Sequence, residues 1–578
     1  MGTGDPSENN TISEALISSN QKGGFRVLPF IVVNMAFEKV ASFGLTPNMI
    51  LYLTREYRIE AAKGANIIFF WSAATNFTPI LGAFIADSYV GRFRMIGFGS
   101  IASLLGIILL WLTAVIPQAR PLPCDQFTSD SCQSPTTLQL LLLYSSFGLL
   151  SIGAGGIRSS SLAFGADQLG MGQSLKRAGI LERFISWYYV LVSVSAVVAM
   201  TCIVYIQDAM GWKVGFGVPV VLMAIAVLSF FSASSFYVKS KPTASSFTGF
   251  AQVLAAAYHN RSIPFSSQDS NDGYHNRKGA TVVAPSEMLR FLNKACIIEN
   301  PEEDLTPDGR ASNPWSLCTV NQVEELKALI KIIPIWLSGM IMSVNVAQSS
   351  FPVLQASTMD RHIISKFEIP AGSMNVFMVI SLAIWVSLYD RVIVPLASKL
   401  RGKPVRLSLK QRMGIGILLS SASMLAFAIA EKNRRERAIR EGFSDDPNAV
   451  VNMSVLWLLP YLVLCGLAET FSAIGQNEFY YTELPKSMSS IAATLFDMGL
   501  SAANLLASFI MSTIDSFSKR GGEESWVSSN INKGHYDYYY WLLASLSLLN
   551  FVYYLACSKG YGPCRAKEGN APDDDGDY

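Results

Sequence analysis

Five ionisable residues sit where an apolar chain should exclude them. Glu38 and Lys39 lie in "NMAFEKVASFG", Arg158 in "GGIRSS", and Glu469 and Glu478 in "AETFSAIGQNEF". A charged side chain at the centre of a membrane helix costs ~2.5–3.5 kcal/mol on insertion scales, so such residues face a bundle interior, pair, or line a solute path. A buried carboxylate beside a lysine can exchange a proton when desolvation and pairing offset each other. A guanidinium stays charged and binds a carboxylate or planar anion at two points. For each residue the alternative is a structural ion pair or a place at the water interface. Asp390 and Arg391, near the end of an apolar run, read as an interfacial structural pair, and Asp497 as structural too.

A second constellation is "GAFIADSYVGRFRMI": Gly82, Asp87, Gly91, Arg92 and Arg94. Small residues let helices approach closely. The spacing puts one carboxylate and two guanidiniums on a tight turn, where bidentate pairing can lock helices together. A lock that opens in one conformation suits a molecule with two states.

The elements that must position these groups are long apolar runs. The chain has 578 residues, 50% hydrophobic and 15% charged, with a formal net charge of +2. Its mean hydropathy is +0.32. Soluble domains carry about 25% charge. The small net charge gives no argument for a nucleic-acid partner; the lipid bilayer is the expected one. Runs of about 20 residues can each cross ~30 Å of hydrocarbon as a helix. They fall near 27–54, 64–87, 93–116, 137–162, 182–206, 214–237, 322–349, 371–398, 408–430, 452–481, 487–514 and 536–557. The first, tenth and eleventh are long and must tilt or bend. The expected fold is all-α: twelve transmembrane helices in two six-helix bundles that rock about a central site.

Five regions follow: a polar tail over 1–24, a bundle over 25–237, a linker over 238–320, a second bundle over 321–557 and a tail over 558–578. The linker segment "SFTGFAQVLAAAYHNR" is either a helix on the membrane surface or local helix in disorder. Lys and Arg after the second, fourth and eighth runs place both termini and the linker in the cytosol. The basic segment "EKNRRERAIREGF", between the ninth and tenth runs, opposes that orientation. No cleavable signal peptide is read. Cys124 and Cys132 share a loop predicted external, as a disulfide or as two free thiols. The other cysteines and the four histidines suggest no metal site, and no cofactor is expected.

Combined with "VASFGLTPNMILYLTREY", "GAGGIRSSSLAFGADQL", "CTVNQVEELKALIKIIPIW" and "ETFSAIGQNEFYYTELPKSMSS", these motifs resemble the plant nitrate and peptide transporter family. That family is the plant branch of the proton-coupled oligopeptide transporters, in the major facilitator superfamily. The resemblance runs from about 25 to 560 and is greatest to the first subfamily, associated with nitrate and in some cases hormones. It implies a first-helix pattern E-x-x-E-[R/K] for proton coupling. Glu38 and Lys39 match its end, and Met35 replaces its first Glu. Coupling through Glu38 alone, weakened coupling and facilitated diffusion all remain open. The resemblance also implies a pair between Arg158 and Glu469, acting as gate and solute site. On the seventh run, Val346 stands where a relative binds nitrate with histidine, so an anion would rest on Arg158, Asn345 and Gln348.

The function implied is secondary transport of a small solute, nitrate first, with protons as the coupling ion and the plasma membrane as the location; the chain is not read as an enzyme. The rival solute is a larger organic one, a hormone or specialised metabolite held against apolar walls. A transport-dead sensor is a minor alternative. An ATP-driven pump is disfavoured because Gly402-Lys403 is followed by Pro404, which is no phosphate-binding loop; uptake in vesicles lacking ATP decides it.

Overall fold

The computed structural model describes residues 27–121, 134–169, 175–239, 246–263, 273–276, 284–364, 367–402 and 407–562. The tails, and Cys124 and Cys132 with their proposed disulfide, lie outside the described residues.

The first half holds α1 (Leu28–Leu45), α2 (Ala61–Ile85), α3 (Arg92–Val115), α4 (Thr137–Gln168), α5 (Leu175–Val198) and α6 (Val204–Ser232). After the linker helix α7 (Ser246–His259), the second half holds α8 (Val320–Ala347), α9 (Val376–Leu388), α10 (Leu409–Arg440), α11 (Leu459–Glu483), α12 (Ser489–Ser518) and α13 (Tyr536–Tyr561). Among the described residues eleven helical paths are long and apolar enough to cross a membrane. One of them, Trp187–Ser232, has 46 residues. At 1.5 Å per residue it would be roughly 70 Å long, twice a bilayer core. It turns at Gly211, whose φ of 77° and ψ of 173° are not helical. Counting the segments before and after Gly211 as separate crossings yields the twelve expected.

Local chemistry sets the ends. Thr136 with Gln139, Thr319 with Gln322 and Ser408 with Gln411 form capping boxes at the starts of α4, α8 and α10. Such caps stabilise a helix start by about 1 kcal/mol. The first run bends: α1 stops at Leu45, before Pro47, and helix resumes at Met49–Leu51 and a π turn over Tyr52–Glu56. Proline lacks the N–H that a helix interior needs.

Several boundaries differ from expectation: the fourth helix runs on to Gln168, the fifth starts at Leu175, and two later differences have a clear cause. The ninth run was expected to end at 430, but α10 continues to Arg440, so most of "EKNRRERAIREGF" is helix. Its basic residues are largely bound: Arg434 is fully buried, holds Glu431 through two contacts of 2.8 Å, and also donates to Asn532 Oδ1 at 2.7 Å and the Ile531 carbonyl at 3.0 Å. Arg437 donates to the Asn452 carbonyl at 2.7 Å. This segment is a packed cap, so its charge is a poor guide to orientation. The tenth run begins later than expected. Val451–Ser454 is a strand paired in parallel with Met359–Asp360, and α11 starts only at Leu459. A second small sheet joins His362–Ile364 to Phe367–Glu368.

The linker is folded where it is described. On α7, Val253 and Ala256 are fully buried against Leu292, Ala295, Cys296, Cys318 and the α8 residues Val320 and Val323. Lys327 of α8 ties this unit down by donating to the Ser286 carbonyl at 2.6 Å. Much of the apolar face offered to a membrane surface is therefore covered by protein, although Leu254 and Tyr258 remain exposed.

The described bonds between the halves gather at the end away from the linker. Asn66 donates to Ser512 at 3.0 Å and accepts from Ser508 at 2.8 Å, and Ser501 donates to the Ala73 carbonyl at 2.9 Å. Lys519 lies 3.6 Å from Glu60, and Arg361 lies 3.7 Å from Asp208. The molecule is held shut at that end.

Candidate functional site

Below this closure a cavity of about 300 Å³ lies between the halves. The first half contributes Ser42, Phe43, Trp71, Asn76 and Arg158, and the second Ser343, Val346, Asn375, Glu469 and Asn504. Arg158 arrives on α4, where Leu150, Ala154 and Arg158 recur every four residues along one face.

Glu38 is buried beside Arg158. Its Oε1 lies 3.7 Å from Arg158 Nε and accepts a hydrogen bond from Ser42 at 2.7 Å, while its Oε2 lies 3.9 Å from Lys39 Nζ. Both ion contacts are long for charge-assisted hydrogen bonds, which run about 2.7–2.9 Å. Glu38 Oε2 and Arg158 Nε are buried with no hydrogen-bond partner. The Phe43 ring lies under both cations, 5.4 Å from Lys39 and 5.9 Å from Arg158. Met35 is one turn nearer the linker end, packed with Phe184 and Tyr188 of α5.

The expected pair of Arg158 and Glu469 is not formed. Both line the cavity, but the carboxylate nearest Arg158 is Glu38. Glu469 is half-buried on the facing wall. Val346 also lines the cavity, whereas Asn345 and Gln348 turn into the second half. Asn345 donates to Ser420 at 2.8 Å, and Gln348 donates to the Val344 carbonyl at 2.9 Å and accepts from Tyr539 at 3.1 Å. On α8 Ser343, Val346 and Ala347 make the face that lines the cavity, and Asn345 lies on the side turned to Ser420. Glu478 is away from the cavity too, bonded to Arg412 at 3.0 Å. The side chain of Asp390 lies outside the described residues, and Arg391 is exposed.

The turn motif comes together at the linker end of the first half. Gly91 has a φ of 85°, which favours glycine. A Cβ on Gly82 would sit 2.3 Å from the Gly155 carbonyl oxygen, so only glycine lets α2 meet α4 there. Arg92 reaches Asp87 at 3.2 Å and both oxygens of Asp167, at 3.0 and 2.9 Å, while Arg94 is exposed. Asp167 was missed from sequence, although "FGADQL" puts it at the end of α4. Ser42 was missed as a Glu38 partner, and the four-residue spacing was its signal.

Comparison with known proteins agrees with this architecture. A POT family profile, PTR2, matches residues 93–527. The chain is 56% identical to Protein NRT1/ PTR FAMILY 1.2 of Arabidopsis thaliana over 94% of this chain and 90% of that one. It is 53% identical to Protein NRT1/ PTR FAMILY 1.1 of the same plant, over 96% and 94%. Among solved structures, an auto-inhibited POT family peptide transporter superposes with a TM-score of 0.68 at 17% identity, covering 94% of this chain and 99% of that chain. The POT family transporter PepTSo superposes with a TM-score of 0.66 at 16% identity, covering 93% and 98%. The fold is that of the major facilitator superfamily, and the chain belongs to the POT family of secondary transporters.

Proposed function

We propose that this transporter carries a small anion, nitrate in the first instance, through the central cavity by alternating access, with a proton carried on Glu38. The observation that supports this most is Arg158. It is a cation on the cavity wall whose ion pair among the described residues, to Glu38, is long, with its Nε lacking a hydrogen bond. An incoming anion can take over that guanidinium, and a proton on Glu38 removes its competitor. Loading of anion and proton would then be linked. Lys39 lies beside Glu38 on α1, Glu469 lines the facing wall, and Asn76 and Asn504 offer neutral polar groups. With Asn345 and Gln348 bonded elsewhere, the anion rests on Arg158 and these amides. The Arg92, Asp87 and Asp167 cluster holds α2, α3 and α4 together as a lock that opens and closes. The linker end faces the cytosol in this reading, at the plasma membrane.

A second reading has its own support. A volume of about 300 Å³ equals about ten water molecules and falls at the lower end of small-molecule pockets. Phe43, Trp71, Met200, Val346 and Met378 make apolar walls. An organic anion would fill that space better than nitrate.

The test is current and labelled-nitrate uptake in oocytes at acidic and neutral external pH. Uptake that rises at acidic pH supports proton-coupled nitrate transport. No nitrate signal from protein confirmed at the surface overturns nitrate and points to an organic anion, to be found by an uptake screen of metabolite mixtures.

A further inference from the structure

The floor of the cavity, on its linker side, holds an unmatched charge. On the first half two cations, Lys39 and Arg158, share one carboxylate, Glu38. The second half offers Asp497 toward them. Leu500 and Asn504 of α12 line the cavity, and Asp497 lies three and seven residues before them, on the same helix face. It is one turn nearer the linker end, half-buried, and coupled electrostatically to both Lys39 and Arg158. Among the described residues no hydrogen bond or ion pair reaches its carboxylate. The distance to either cation therefore exceeds the 4.0 Å of a salt bridge while the far end is shut.

We propose that Asp497 is the gate residue of the second half: when the linker end closes, its carboxylate pairs with Lys39 and joins the two halves across the cavity floor. This rests on the alternating-access reading above. Opening the far end breaks the Asn66, Ser508 and Ser512 contacts and the Lys519–Glu60 pair. The closed linker end needs bonds of its own to offset that loss. Asp497 and Lys39 are placed for one, because the helices that carry them, α12 and α1, line the cavity from opposite halves. An ion pair shielded by protein on both sides is worth more than an exposed one. The pairing is also self-limiting, since Lys39 is released to Glu38 whenever the floor opens. Glu38 and the phenol of Tyr188 complete the polar surroundings on the first half.

The experiment uses the full chain in lipid nanodiscs without solute. Spin labels go by non-cysteine chemistry at Tyr89, exposed in the π turn after α2, and Ser489, exposed at the start of α12. The inter-label distance distribution gives the ratio of linker-end-closed to linker-end-open molecules. Asp497→Asn is expected to lower that ratio at least about fivefold and Asp497→Lys further. Asp497→Glu, which keeps the charge, and the exchange Lys39→Glu with Asp497→Lys are expected to restore it. Two populations whose ratio ignores the charge at residue 497, or an exchange that leaves the ratio as low as Asp497→Lys does, overturn the proposal and leave alternating access standing. A single population in the parent and in every variant overturns alternating access together with it.

Discussion

Two buried charge clusters sit in this molecule and are built oppositely. In the cap, Arg434 and Glu431 are fully buried and meet at 2.8 Å through two parallel bonds, with Asn532 and a carbonyl taking further donors. In the centre, Glu38 meets its two cations only at 3.7 and 3.9 Å, and polar atoms on both sides lack partners. A fully satisfied buried network rigidifies a fold. A loosely satisfied one leaves each member free to change partner. The cap fixes one arrangement, and the centre is built to pass between arrangements.

Breaking the cap should give the largest effect. Arg434→Met leaves Glu431 as an unpaired buried charge, with an expected cost of about 3–5 kcal/mol. Thermal unfolding of purified protein should show a large fall in Tm and surface expression should drop. An unchanged Tm would dissolve the contrast. The centre should answer differently. Arg158→Ala should leave Tm and surface level near the parent while uptake falls about tenfold to a hundredfold, as for loss of a bond to a charged group. Full retention of uptake would remove Arg158 from the solute site.

Glu38→Gln sharpens the contrast further. It keeps the shape and removes the titrating group, so uptake at acidic and neutral external pH should become equal. A surviving pH dependence would assign the proton to another residue.

The turn cluster stands between the extremes. Arg92 is part-exposed and has two carboxylate partners. Asp167→Asn should therefore cost only about 0.2–1 kcal/mol, visible as a small Tm shift, and Arg92→Ala somewhat more. A large loss in either would move this cluster into the class of the cap.

The smallest effect is expected in the linker. Burial pushes the Cys296 thiol up to about 12 and the Cys318 thiol up to about 11. Only the thiolate reacts, so at pH 8 about a thousandth or less of either is reactive. Alkylation of native protein should spare both until denaturant is added, and labelling as fast as that of a free peptide thiol would show the linker core to be open.

The fold was legible because apolar length is a strong signal in a membrane chain. The runs around α3, α4 and α13 sit close to where hydropathy put them. The errors have physical causes. Hydropathy cannot see that basic residues such as Arg434 are paired inside a cap, so α10 was ended ten residues early. Nor can it see a strand such as Val451–Ser454, which is as apolar as the helix after it. In the site, Glu38, Lys39, Arg158, Val346 and Glu469 were found as charges or motif positions in apolar runs. Asn345 and Gln348 were misplaced because sequence does not give the rotation of α8 about its axis. Asp497 reads as structural in the sequence, since the cations it faces, Arg158 and Lys39, lie more than three hundred residues away in the chain.

The docked linker has a mechanical consequence. Residues 238–320 read as a long tether between the bundles, but α7 rides on the start of α8, in the second half. Seven peptide steps separate Lys239, the last described residue of the first half, from Ser246 at the start of α7. Fully extended they span about 25 Å. The chain thus sets a stop on how far the two halves can swing apart at the linker end, however strongly solute or membrane potential drives them.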